Sequence, residues 1–191
     1  MGKAFDRIDD HLRDWIGRQR LYFVGTAPLA AEGRVNVSPK GPIETLSVLD
    51  DRTVAYLDMV GSGAETIAHL RENGRIVVML CAFEGPPRIL RLHGRGRAVA
   101  ADDPEFLPLL ERAGFEDPHP ITEARRAVIV VDVERIADSC GYGVPLMEYE
   151  GERPHMEAWA AKKMRVDPGA IEAYKAEKNS ISLDGLPALQ R

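Results

Sequence analysis

Cysteine is scarce in this chain: Cys81 and Cys140 are the only two among 191 residues. Two thiols without C-x-x-C spacing cannot form a zinc site, and in a reducing compartment such a pair stays free rather than joined. The histidines His11, His69, His93, His119 and His155 lack metal-ligand spacing, and Glu65 with His69 is a helical i,i+4 pair rather than an H-E-x-x-H array, so no metal is expected. No apolar run is long enough to cross a bilayer. The first twenty residues are charged and lack the apolar core of a secretory signal, which makes the cytoplasm the expected compartment. A G-x-S-x-G elbow, a G-x-x-x-x-G-K-[ST] loop and a G-x-G-x-x-G fingerprint are all missing, which weakens hydrolase, P-loop and Rossmann readings together. Positive charge is in deficit as well: 25 Lys and Arg face 30 Asp and Glu, a net charge of −5. Such a surface repels nucleic acid and acidic membranes, so neither is expected as a partner. The local exception is Arg88-Ile89-Leu90-Arg91-Leu92-His93-Gly94-Arg95-Gly96-Arg97, whose cations carry no aromatic residues for base stacking and therefore suit a small phosphate better than a nucleic acid.

What is present is the balance of an ordinary globular protein, 45% hydrophobic and 29% charged, with enough chain for one main domain and an appendage. Phe5, Ile8, Leu12, Trp15 and Ile16 recur at helical spacing and predict an amphipathic helix over residues 5–18. Short apolar or alternating runs follow at 21–24, 34–38, 43–49, 53–58, 75–83 and 88–99 and read as strands. Turn signals between them, Glu32-Gly33, Pro39-Lys40-Gly41-Pro42, Asp50-Asp51 and Gly85-Pro86-Pro87, are those of antiparallel pairs, giving a compact barrel or sandwich. A helix over residues 104–113 is marked by Asp102 or Asp103 at its cap and Gly114 at its end. The β-branched run at 127–133 reads as a strand covered on both sides. Beyond it come the Gly-rich loop 139–145, helical patterns around Trp159 and over 168–178, and an irregular end, expected to lie on the barrel or on a partner subunit.

The segment Tyr56-Leu57-Asp58-Met59-Val60-Gly61-Ser62-Gly63-Ala64-Glu65-Thr66 carries the strongest chemical signal. An apolar strand passes through two glycines into a helix with Ser62 as expected N-cap, Glu65 as capping-box partner and Gly74 as stop. Glycines that allow close backbone approach and a helix start with unpaired N–H groups together suit a phosphate. In Asn36-Val37-Ser38-Pro39-Lys40-Gly41 a strand ends in a turn that places a cation among outward-facing backbone groups, although a plain hairpin turn also explains its proline and glycine. Arg95 and Arg97 share a parity and fit the solvated face of an edge strand, whereas Arg88 and Arg91 differ in parity and only one of them is expected to reach a site shared with the Gly-Ser-Gly turn.

Taken in order, Asn36 to Gly41, Thr53 to Asp58, Gly61 to Leu70 and Cys81 to Arg91 resemble the pyridoxamine 5′-phosphate oxidase-related family of FMN-binding split-barrel proteins. The resemblance covers residues 1–135 as the barrel domain. The segments Ser139 to Pro145 and Lys178 to Pro187, within an extension over 136–191, are similar to those of one subgroup. It implies a mainly β fold with flanking helices, a six-stranded antiparallel split β-barrel, and a homodimer holding FMN in a groove between subunits. By similarity, Val37, Ser38, Pro39, Lys40 and Gly41 lie near the flavin ring, Tyr56, Leu57 and Asp58 line the groove, and Ser62, Gly63, Glu65 and Thr66 surround the phosphate. Glu65 is expected to cap the helix with its side chain and face the anion only with its N–H. Arg88 and Arg91 are further expected cofactor contacts, with Tyr142 and Asn179 as contacts from the tail. The C-terminal substrate motif of the true pyridoxamine phosphate oxidases has no counterpart here, so the expected activity is that of an FMN-dependent oxidoreductase acting on another small-molecule substrate or electron donor, with no catalytic acid or base assigned. A non-catalytic flavin-binding or storage protein, and a deazaflavin-dependent reductase on the same fold, are the alternatives.

Overall fold

The computed structural model describes residues 2–115 and 122–189, so His119 lies outside the described residues. Its strands are β1 (Ala4–Phe5), β2 (Tyr22–Thr26), β3 (Asn36–Lys40), β4 (Leu46–Val48), β5 (Thr53–Met59), β6 (Arg75–Cys81), β7 (Ile89–Ala100) and β8 (Arg125–Ser139). The helices are α1 (Asp10–Gly17), α2 (Glu65–Asn73), α3 (Phe106–Ala113), α4 (His155–Val166) and α5 (Ala170–Lys178). The sheet is antiparallel throughout in the order β3-β2-β6-β7-β8-β5-β4, with β1 paired to β8. It curls into a split half-barrel whose two free edges, β3 and β4, are not hydrogen-bonded to each other.

Eight strands are therefore described where six were expected; the two-residue β1 and the three-residue β4 are the additions to six longer ones. Most of the expected run at 43–49 divides into a single 3-10 turn, Ile43–Thr45, followed by β4. The predicted first helix begins later, at Asp10, because Asp9 accepts a hydrogen bond from the Leu12 N–H and caps it, while Phe5 belongs to β1. β7, expected at an edge, is central between β6 and β8, and its Arg95 and Arg97 still face solvent.

Alternation along β8 explains its continuous apolar run. Ala127, Ile129, Val131 and Val133 face the barrel interior with Tyr22, Val24, Tyr56, Leu90 and Leu92, while Val128 and Val130 face outward beneath Phe106, Leu109 and Leu110 of α3. The pairing register slips at two places on this strand. Asp58 pairs with Ala127 but Met59 pairs with Arg125, leaving Arg126 unpaired against β5; His93 pairs with Arg135 but Gly94 with Val133. Each is a bulge, and a bulge re-aims the side chain of the extra residue.

The segment after β8 packs on the barrel of the same chain. Ala160 and Ile171 are buried against Val60 and Ala124, and Trp159 meets Tyr174 edge to face with ring centroids 5.0 Å apart. None of the described helices is long and apolar enough to cross a membrane.

Candidate functional site

Side chains bridge the split where backbone hydrogen bonds do not. Lys40 at the end of β3 donates from Nζ to Asp58 Oδ1 on β5 at 2.7 Å, and the Tyr22 and Tyr56 rings meet at 5.7 Å. Asp58 is fully buried, and its other oxygen accepts from Arg126 Nε at 2.8 Å and Nη2 at 2.6 Å. The Arg126 guanidinium continues to the Gly63 carbonyl at 2.6 Å, joining the bulge of β8 to the approach of α2. Burial pushes the Asp58 carboxyl up, but Arg126 and Lys40 outweigh it and hold it below the usual carboxylate range. Two cations against one carboxylate leave a net positive charge within this cluster.

A second network orders the floor. Asn36 donates from Nδ2 to Thr66 Oγ1 at 3.0 Å and Thr26 Oγ1 at 3.2 Å, and its Oδ1 accepts from Ser38 Oγ at 2.9 Å. Thr26 Oγ1 lies 3.0 Å from Nδ1 of the buried His69. Burial lowers the His69 pKa and opposes nearby Asp184, Glu65 and Glu72, which favours a neutral ring. The Tyr56 hydroxyl is buried without a hydrogen-bond partner; burial first, then Asp58, raises its pKa, and burial also raises that of Tyr22, so both phenols stay protonated.

These elements enclose a cleft of about 950 Å³. Its walls are the 36–42 turn, Leu57 to Gly61 at the end of β5, Gly63 to Thr66 at the start of α2, Arg126, and the tail segment from Tyr149 to Glu157. Arg20 stacks over the Tyr149 ring at 4.5 Å, and the Tyr149 hydroxyl donates to Glu152 at 2.7 Å, so the tail wall is tied to the barrel.

The cleft brings together Ser38, Pro39, Lys40, Gly41, Leu57, Gly63, Glu65 and Thr66 from the predicted set. Tyr56 and Asp58 lie buried behind it rather than on its surface. Val37 is exposed, and Ser62 is exposed outside the lining. Arg88 and Arg91 lie elsewhere in the chain. Arg88 pairs with Asp138 at 3.0 Å, stacks on Trp15 at 5.1 Å and lines a separate cavity of about 1240 Å³. Arg91 donates to Ser139 Oγ at 3.0 Å. Tyr142 is exposed, and Asn179 is buried behind the Gly61 turn.

The capping expectation for α2 is corrected in its details. Ala64 occupies the N-cap position with no side-chain cap, so neither Ser62 nor Glu65 closes a capping box. The Glu65 carboxylate instead accepts from the Leu183 N–H of the tail at 3.2 Å. Gly74 does stop the helix, in the left-handed conformation at φ 69°. Neither Gly61 nor Gly63 has positive φ; a Cβ on Gly61 would meet nothing within 4 Å, so glycine there leaves room in the cleft rather than making a turn possible. The first-turn amides of α2 have no acceptor within the helix, which is the feature that suits an anion.

Arg126 and Asn36 were missed by sequence reasoning. Arg126 stands at the head of the β-branched run, where strict alternation would point it away from the interior; only the bulge turns it toward Asp58. Its signal was the Arg125-Arg126 pair beside an otherwise apolar strand.

Residues 8–140 match the family described as "Pyridoxamine 5′-phosphate oxidase". Over 97% of its length the chain is 39% identical to the pyridoxamine 5′-phosphate oxidase family protein ustO of Aspergillus flavus, 77% of which is covered. Among solved structures, HupZ of Group A Streptococcus superposes with a TM-score of 0.52 at 23% identity, over 68% of this chain and 91% of that one. A Bacteroides thetaiotaomicron protein assigned provisionally to 5-nitroimidazole antibiotic resistance gives a TM-score of 0.51 at 14% identity, over 72% of this chain and 86% of that one. At these identities both structures attest to the fold alone.

Proposed function

Because the chain belongs to the pyridoxamine 5′-phosphate oxidase family, we propose that it holds FMN in the cleft at the split and works as a flavin-dependent oxidoreductase on a small molecule. The triad of Lys40, Asp58 and Arg126 carries this reading, since it sets a net positive charge beside the amide-rich start of α2, in a cleft large enough for a flavin nucleotide. These residues fit the group. Arg126 and the first-turn amides of α2 would hold the phosphate, and the turn from Ser38 to Gly41, with Lys40 fixed by Asp58, would face the ring system.

The bound flavin would supply hydride or electron transfer. The chain's own residues supply binding and orientation. Lys40 presents a cation held in one place by the buried carboxylate, an electrostatic arrangement that favours negative charge building up beside it. Asn36 fixes the rotamers of Ser38 and Thr66, and the tail wall from Tyr149 to Glu157 limits access of water.

A second copy of the chain completes the groove in this reading. The outward face of β2 and β6 presents Phe23, Val77 and Met79 side by side and only half-buried, an apolar patch of the kind a homodimer covers. A second copy docked there would bring its own Arg91, which pairs beside Met79 on that face, toward the groove.

The test is a spectrum. Purified protein incubated with FMN and desalted is expected to retain about one flavin per chain, identified by mass after heat release; complete loss of flavin overturns the reading. Anaerobic reduction of the retained flavin by NADH or NADPH then supports the oxidoreductase role, and retention without any reduction leaves a flavin carrier.

A further inference from the structure

The end of the chain is tied to the Gly-Ser-Gly turn in a way that neither the family match nor the cleft lining describes. After α5, residues 179–189 fold into a small strap closed by an Ile181–Pro187 bridge. The strap is anchored at both ends and along its length. Leu189 N–H bonds the Asn179 carbonyl at 3.0 Å, Ala188 is fully buried in the barrel core, and Arg71 of α2 donates to the Ala188 carbonyl at 2.7 Å. Asp184 accepts from the Arg34 N–H at 2.7 Å and pairs with its guanidinium, and Leu183 N–H reaches Glu65.

Asn179 is the part of the strap that touches the turn. It is fully buried, and its Nδ2 donates to the Gly61 carbonyl at 2.8 Å, while its Oδ1 is buried with no partner. A buried amide oxygen left without a donor is unfavourable, so this placement serves the Gly61 contact at the expense of the side chain's own satisfaction.

The peptide plane converts that contact into a direction. In a planar trans peptide the N–H points opposite to the C=O. With the Gly61 carbonyl held toward the buried Asn179, the Ser62 N–H of the same peptide is turned away from Asn179. Arg126 holds the Gly63 carbonyl at 2.6 Å in the same manner, which turns the Ala64 N–H away from the guanidinium. Both peptides flanking the turn are thus oriented by side chains from distant parts of the chain.

We infer that Asn179, carried by the C-terminal strap, is a positioning residue that presets the Gly61–Ser62 peptide, and with it the Ser62 N–H, for the phosphate of the nucleotide. This deepens the FMN reading and rests on it for the identity of the anion. The expected signature is selectivity rather than activity: FMN and riboflavin share every group except the phosphate.

The experiment compares wild-type protein with Asn179→Asp, which keeps the shape and, in its ionised form, removes the donor, the titrations being read at a pH where the carboxyl is ionised, and with Arg34→Ala, which loosens the strap from the exposed side and leaves Asn179 in place. Hydrogen exchange of the amides from Gly61 to Thr66 is read without ligand, and affinities for FMN and riboflavin are read by fluorescence titration. Asn179→Asp is expected to speed exchange at the turn and to weaken FMN by about tenfold, the size of one lost buried hydrogen bond, with riboflavin unchanged. Arg34→Ala is expected to shift both in the same direction by less. Unchanged exchange and an unchanged FMN to riboflavin ratio in Asn179→Asp would overturn the inference, as would an equal loss of both ligands. If wild-type protein binds neither flavin, the FMN reading fails by itself, and the exchange data alone still decide whether Asn179 orders the turn.

Discussion

Asp58 on β5 is held by Lys40 across the split and by Arg126 of the neighbouring β8, and its burial makes the cost of losing it large. Removing one partner from a buried charged cluster leaves the others desolvated and unpaired, at a cost of about 3 kcal/mol. Asp58→Asn is therefore expected to lower the unfolding free energy by roughly that amount at pH 7, measured in urea. The pH dependence has a definite sign. Burial raises the carboxyl pKa, but Arg126 and Lys40 bring it below the ordinary 3.8. A carboxyl depressed in the folded state contributes stability that is complete above its unfolded value and is lost as pH falls through the folded one. The gap between wild type and Asp58→Asn should thus be constant from pH 7 down to about 4 and narrow below it; a gap that narrows between pH 7 and 5 contradicts the assignment. Lys40 and Asp58 were both legible in the sequence as site residues, but their ion pair was not, because eighteen positions separate them in the chain and only the curl of the sheet brings them together. Arg126 was hidden for the opposite reason: alternation predicts the wrong face, and a bulge is a feature of pairing register, which one strand's sequence does not display.

Among elements, β8 shows what the bulges do. At the second slip, Gly94 lies so close to β8 that a Cβ would come within 2.0 Å of the Asp132 carbonyl oxygen, a backbone atom that cannot move aside. Gly94→Ala is expected to cost about 2–4 kcal/mol, whereas Gly143→Ala, whose Cβ would meet nothing within 4 Å, should stay within about 0.5 kcal/mol of wild type in the same denaturation experiment. The long strands and α2 were readable because periodicity and the Gly74 stop are local signals. The start of α2 was not read correctly. Ser62 and Glu65 have the types and spacing of a capping box, yet the chain spends Glu65 on the strap, a contact between residues 118 apart. Likewise Asp102 or Asp103 was expected as a cap for the helix over 104–113; Asp103 accepts from the Glu105 N–H at 2.8 Å, and Glu105 itself occupies the N-cap position of α3. Local capping rules identified the neighbourhood in both cases; a long-range contact set the detail at α2 and a two-residue turn set it at α3.

For the whole molecule, the split half-barrel, its antiparallel order and the tail laid over α2 position a cleft that one chain lines largely by itself. Strand spacing and turn chemistry led to a barrel or sandwich and the family resemblance to a split barrel, while the count of six missed the two-residue β1, which is too short to leave a pattern. The tail was legible only as an extension; its contacts with Gly61, Glu65 and Arg34 depend on the finished barrel. If the half-exposed Phe23, Val77 and Met79 face is covered by a second copy, light scattering should give about twice the 21.1 kDa of one chain, and Val77→Glu should yield a monomer with weakened flavin retention. A monomeric wild type at micromolar concentration would remove the shared groove. The central claim is that a phosphate sits against Arg126 and the start of α2. The most direct measurement is an equilibrium titration of wild type and Arg126→Met with FMN and with riboflavin. The account predicts that wild type prefers FMN by at least about tenfold, the worth of one or two charge-assisted hydrogen bonds, and that Arg126→Met abolishes most of this preference while leaving riboflavin affinity unchanged. Equal affinity of the wild-type protein for the two flavins would contradict it.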